Sequence, residues 1–198
     1  MSGIPDIGTL RVVRTVVVRN RRLLYLSMAI FGSFFMLALM TPTLSASEMS
    51  LFTQQGATAE TSESFGFVQS WLNNVVVVLI LSLGGLLIGL PTITTLSFNG
   101  LFIGYQIKTY IGAYPTLLAA SATLLPHSLF EIPGLLVAAA AGLRLPKGLI
   151  QYLRGRPRVV TRADLTEFLV LFLLALGLIT IGAVVEVYAT PRIYQTVV

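Results

Sequence analysis

The only histidine in the chain, His127, lies four residues before Glu131 in the run Pro126-His127-Ser128-Leu129-Phe130-Glu131-Ile132-Pro133-Gly134. On a helix this spacing puts both side chains on one face. An imidazole and a carboxylate so placed could share a charge-assisted hydrogen bond, with titrations that belong to the pair, or handle a proton or a cation. Asn99 and Lys108 are further polar residues set in apolar sequence. All four fall where the chain reads as bilayer-spanning, and ionisable groups there mark a site or a fixed internal contact. The competing reading is structural: the pair locks a kinked helix to a neighbour, through Asn99 or the backbone groups freed by Pro126 and Pro133. A metal site is disfavoured. One His, no Cys and a His-x-x-x-Glu lacking the second His of a zinc-protease helix give too few ligands.

Other chemistry is poorly supported. The chain has no Gly-rich phosphate loop and no Gly-x-Ser-x-Gly; Ser128 points to a different helix face from His127, and Ser97 and Ser121 stand in no motif. The reading is therefore non-enzymatic, with no cofactor. The basic residues carry no repeated aromatic-basic pattern or nucleic-acid module, so no nucleic-acid partner is expected. Absence of cysteine removes disulfides and thiolate ligands and says nothing about compartment.

The elements that must position these residues follow from composition. The chain has 198 residues, 55% hydrophobic and 11% charged. A soluble domain carries about 25% charged residues, so most of this one faces lipid or the inside of a membrane bundle. The fold class expected is all-α integral membrane, with the bilayer as first partner. Residues 1–22 form a basic arm with Arg11, Arg14, Arg19, Arg21 and Arg22, either strand or surface helix over 10–18. Residues 23–40 are uncharged and apolar, and as a helix span about 27 Å. A cleaved signal peptide would have a shorter apolar region, of about 7–15 residues, so this run is read as a retained first span. Residues 41–72 form an outer loop, whose polar part holds Glu48, Glu60 and Glu63 but no Lys or Arg. Its end, 64–71, reads as an interfacial helix anchored by Trp71.

Spans are then expected at 75–90, 92–112, 116–145 and 165–187. Gly85 and Gly89 in the second, and Gly100 and Gly104 in the third, form small-xxx-small packing patterns. The stretch 116–145 would make about 45 Å of straight helix, too long for one crossing. Pro126 and Pro133 are expected to break it into a half-helix and a longer helix. Gly134, Ala138 and Gly142 continue the His127–Glu131 face as a packing stripe. Residues 146–163 form a basic inner loop. Asp164 is expected to cap the last helix, with Glu167 at its third position, and Glu186 to reach water at that helix's end.

Two basic clusters, one around Arg19, Arg21 and Arg22 and one around Arg154, Arg156 and Arg158, should both face anionic lipid on the cytoplasmic side. An even number of spans must then separate them. Five transmembrane helices, the fourth proline-broken, satisfy this with the N-terminus cytoplasmic and the C-terminus outside, in the cell membrane. A re-entrant pair over 92–125 would satisfy it too.

Asn73-Asn74 at the head of the second span, the Phe98-Asn99-Gly100-Leu101-x-x-Gly104 segment, and Pro126-His127-Ser128-Leu129-Phe130-Glu131-Ile132-Pro133 followed by Gly142-Leu143-Arg144-Leu145 carry a resemblance. Over roughly residues 70–146 the chain resembles the stage II sporulation protein M family of integral membrane proteins. Ser128 stands where that family usually has Gly, and Gly134 where a small Ala is common. The resemblance implies a multi-span protein of bacteria and archaea, similar in spore formers to a scaffold holding cell-wall-degrading partners during engulfment. The leading expectation is a membrane scaffold with protein partners or a homo-oligomer. The alternative is a small-solute or ion/proton-coupled transporter using His127, Glu131, Asn99 and Lys108.

Overall fold

The computed structural model describes residues 7–42, 63–155, 157 and 159–197. Among these every regular element is helical. They are α1 (Ile7–Arg19), α2 (Arg21–Met40), α3 (Glu63–Leu83) with a 3₁₀ turn (Gly84–Leu87), α4 (Leu90–Ala113), α5 (Leu117–Gly142), α6 (Arg144–Leu153), α7 (Arg162–Val184) with a π turn (Val185–Ala189), and α8 (Thr190–Val197). Four stretches are long and apolar enough to cross a membrane: Arg21–Met40, Gly66–Leu87, Leu117–Leu153 and Arg162–Val197. Helix α4 is not among them. Asn99, Gln106, Lys108 and several threonines dilute its apolar character.

The basic arm is helical and ends in a corner built by Asn20. Its N–H donates to Val16 O (3.0 Å), and its carbonyl accepts from Leu23 N (2.9 Å), so one helix ends and the next begins without orphaned groups. Helix α5 starts where Thr116 Oγ1 accepts from Ala119 N (3.1 Å). Helix α7 starts one turn earlier than the sequence suggests. Thr161 is the cap, accepting from Asp164 N (3.2 Å), while Asp164 Oδ2 accepts from Thr161 N (2.9 Å). Asp164 is therefore the third helical position of a capping box, and Glu167 is left free for another contact.

Helix α5 is the central element. It runs antiparallel to α7: Gly134 lies against Ile179 and Glu131 against Gly182, and Arg144 just beyond its end bonds Asp164 and Glu167. Val78, Leu81, Leu96, Leu135, Ala138, Leu171, Ala175 and Ile179 close one apolar core between α3, α4, α5 and α7. Alanines 138–141 are all buried, because small side chains let membrane helices approach closely. The expected stripe of Gly134, Ala138 and Gly142 is part of this packing.

Three expectations are corrected. The break at Pro126 and Pro133 is absent, and α5 is one helix through both prolines. Each proline removes one intrahelical bond; a helix flanked by packed neighbours keeps its course despite that loss. The break falls instead at 84–89, where Ile88 has φ 58° and Gly89 φ 83°. Gly89 thus belongs to a reversal between α3 and α4, while Gly85 packs on α5 against Gly142 as expected. Thr92 Oγ1 donates to Leu81 O (2.8 Å), satisfying a carbonyl left open where α3 ends. Finally, α3 begins at Glu63, so the end of the expected outer loop, its interfacial helix and the second span are one continuous helix. Trp71 is not a free interfacial anchor: its Nε1 donates to Thr180 Oγ1 (3.0 Å) on α7. Residues 43–62, with Glu48 and Glu60, lie outside the described residues.

The expected inner loop opens with α6, an amphipathic helix exposing Ile150, Tyr152 and Leu153. Gly100 and Gly104 let α4 press on α2, since a Cβ at Gly100 would stand 2.6 Å from Phe31 O and one at Gly104 2.7 Å from Ala38 Cβ.

Candidate functional site

Helix α5 carries His127 and Glu131 one turn apart, and both border a cavity of about 400 Å³. Helix α3 supplies Gln69, Ser70, Asn73 and Asn74 to its wall, α4 supplies Asn99 and Gln106, and the π turn after α7 supplies Glu186. Val77, Leu135 and Ile179 also line it; Leu135 and Ile179 belong to the apolar core. These three are therefore its floor. The cavity lies at the end of the bundle opposite Arg144 and Glu167.

The expected His127–Glu131 hydrogen bond is replaced by another. Glu131 Oε1 accepts from Asn74 Nδ2 (2.9 Å), while His127 Nδ1 is buried without a partner. Residues at i and i+4 share a helix face, but Glu131 is directed to Asn74 on α3. Gly182 makes room for Glu131, since a Cβ there would stand 2.7 Å from Glu131 Cγ. Substituting Gly182→Ala is therefore expected to push the carboxylate from Asn74 while leaving the helical content, read by circular dichroism, unchanged. Glu186 accepts a short hydrogen bond from Ser70 Oγ. Asn99 donates Nδ2 to Thr95 O (2.8 Å) within its own helix.

Lys108 does not join the site. Its Nζ donates to Ala38 O (2.8 Å) and to Thr41 O, and lies 5.5 Å from the Tyr105 ring centroid. A cation there satisfies the open carbonyls at the C-terminus of α2. The structure thus brings together three of the four expected polar residues and turns the fourth away. Asn73, Asn74, Gln69, Ser70, Gln106 and Glu186 are additions. The α3 set had a readable signal: 66, 69, 70, 73, 74 and 77 follow helical spacing along one face. Glu186 had none beyond its apolar neighbours.

A second polar cluster holds the other end of the bundle. Arg144 bonds Glu167 Oε2 (2.6 Å) and Asp164 Oδ1 (2.8 Å), and also Asn20 Oδ1. Asn20 Nδ2 donates to Glu167 Oε2 (2.8 Å), and Arg19 reaches Glu167 Oε1 (2.9 Å). Arg19, expected at the lipid, is thus tied inward through its guanidinium. Arg21, Arg22 and Arg154 are exposed, and Arg156 and Arg158 lie outside the described residues. No group of three or more His, Asp or Glu able to hold a metal occurs among the described residues.

The arrangement offers a polar chamber with a closed apolar floor, able to receive a small polar molecule from one end. Comparison with known proteins places the chain in context. The family model described as Stage II sporulation protein M matches residues 22–191. The chain is also 35% identical over 130 residues to an uncharacterized protein of Methanocaldococcus jannaschii, covering 65% of this chain and 73% of that one. No solved structure matches.

Proposed function

This chain belongs to the stage II sporulation protein M family, and on that premise we propose that it is a carrier that takes a small polar solute into the chamber from the outer face of the cell membrane. The observation that supports this is the chamber itself. Two carboxylates, an imidazole and five side-chain amides line it. Polar groups at such depth are costly in lipid and are typical of solute pathways. A scaffold needs no such chamber, so that role ranks second. The half toward Arg144 has an apolar core of Leu81, Leu96, Ala138 and Leu171 and is held by the Arg144 cluster, as in an outward-open carrier.

The topology proposed is five crossings, N-terminus in and C-terminus out. Helix α4 runs beside α2 from the reversal at Gly89 to Lys108, which bonds the last carbonyls of α2, so its ends match those of a crossing. Arg19 and Arg144 meet at Glu167, which favours one shared side for both basic clusters under the positive-inside rule.

Because the chain has no cysteine, a single one reports access cleanly. Val77→Cys at the chamber floor, in proteoliposomes of one orientation, should react with a membrane-impermeant thiol reagent from the outer side, and more slowly from the inner side as the carrier alternates. Labelling from the outer side alone would make the chamber a dead-end receptor site. Labelling from neither side sinks the solute-site reading.

A further inference from the structure

We propose that the chamber takes a small organic cation of the ammonium or guanidinium class; the inference rests on the chamber being a solute site. Glu131 and Glu186 both line the chamber, and no Lys or Arg among the described residues does. Among the described residues the two carboxylates accept hydrogen bonds from neutral donors, Asn74 for Glu131 and Ser70 for Glu186. The same protein treats its buried carboxylate Glu167 differently: Glu167 carries Arg144 and Arg19. Lys108, on the helix that forms one chamber wall, is committed to α2 carbonyls. Among the described residues no Lys or Arg faces Glu131 or Glu186, so a cationic solute meets no fixed positive charge from those side chains in the chamber.

Carboxylates in a cleft with low-dielectric walls focus a negative potential that concentrates cations. Size and ligand count argue for an organic cation over a metal ion. The chamber, at about 400 Å³, lies in the range of roughly 300–1,000 Å³ that suits small-molecule ligands. Its acidic and imidazole groups do not converge as a metal set, whereas a divalent metal needs several oxygen or nitrogen ligands at short range. Phe102 adds an aromatic wall, which attracts ammonium and guanidinium groups.

The experiment uses full-length Val77→Cys protein in proteoliposomes. Labelling rates with a trimethylammonium-bearing and a sulfonate-bearing methanethiosulfonate are each normalised to a free thiol in solution. The cationic reagent is expected to react about tenfold faster or more, and Glu131→Gln with Glu186→Gln should bring the two rates together. Glu186→Gln alone, should the double variant not fold, is expected to lose part of the preference. Millimolar tetramethylammonium should slow labelling by an uncharged maleimide at least twofold, while methanesulfonate should not. Equal normalised rates, a sulfonate preference, a preference unchanged in the Gln variants, or no protection by tetramethylammonium each overturn the cation assignment and leave the chamber as a solute site. If no reagent reacts at all, the chamber is closed and the solute-site reading falls with it.

Discussion

Arg144→Met lowers the stability of the folded protein by about 3–5 kcal/mol, the cost of leaving a buried ion pair with one member. Its side chain is 9% exposed, and it bonds Glu167, itself 8% exposed, together with Asp164. The arginine joins three elements that are far apart in sequence: the α1–α2 corner through Asn20, the end of α5, and the first turns of α7. Without it, Glu167 keeps Asn20 and Arg19. Arg19 is 63% exposed, so its attraction is screened and worth no more than about 1 kcal/mol. Thermal unfolding in mild detergent, followed by circular dichroism, measures the loss. Pairing Arg144→Met with Glu167→Met should recover a large part of it, because no charge is then stranded. A single variant as stable as the parent would show that water or lipid headgroups solvate Glu167, and that the cluster does not hold this end of the bundle.

The second large effect is expected at Gly142. A Cβ there would meet the carbonyl oxygen of Leu81 and stand 2.6 Å from Thr92 Oγ1. Those two groups are hydrogen-bonded to each other at 2.8 Å. Both belong to the joint where α3 ends and α4 begins, so neither is the loose tip of a long side chain. Gly142→Ala must separate α5 from α3 or break that bond. Overpacking costs about 1–3 kcal/mol, and a lost buried hydrogen bond adds roughly 1 kcal/mol. Gly177→Ala is the matched control. It lies within α7, where an added Cβ would meet nothing within 4 Å, and should be neutral or stabilise by up to about 1 kcal/mol through helix propensity. The same unfolding assay compares the two; equal behaviour would show that α3 and α5 do not touch at this point.

Much of the architecture is legible in the residues. Apolar runs bounded by Arg, Pro and polar clusters locate α2, α5 and α7 to within a turn, whereas α3 begins about three turns before the expected span. The Asn-Asn pair, the Phe98–Gly104 segment and the Pro126–Pro133 segment indicate the family, which the match over residues 22–191 establishes. Proline is the misleading signal. Pro126 and Pro133 read as breaks because they cost hydrogen bonds locally, yet α5 is packed along enough of its length to continue through them. The capping pattern is displaced by one turn for a similar reason: Thr161 and Asp164 look alike as caps, and only backbone geometry chooses between them.

What the sequence determines alone is the class, the apolar lengths, the basic ends and the presence of His127 and Glu131 within a long apolar stretch. These are sums over neighbouring residues, so no folding is needed to read them. What the tertiary structure decides is which groups meet. Helices α5 and α7 are apolar almost all round, since the lipid face and the packed face of a membrane helix are equally apolar. Their rotation is therefore not written in a hydrophobic stripe. Packing at Gly134 and Gly182 sets it, and with it the register that pairs Glu131 with Asn74, leaves His127 Nδ1 without a hydrogen bond, brings Glu186 to the same chamber and joins Asn20 to Glu167 across 147 residues of chain.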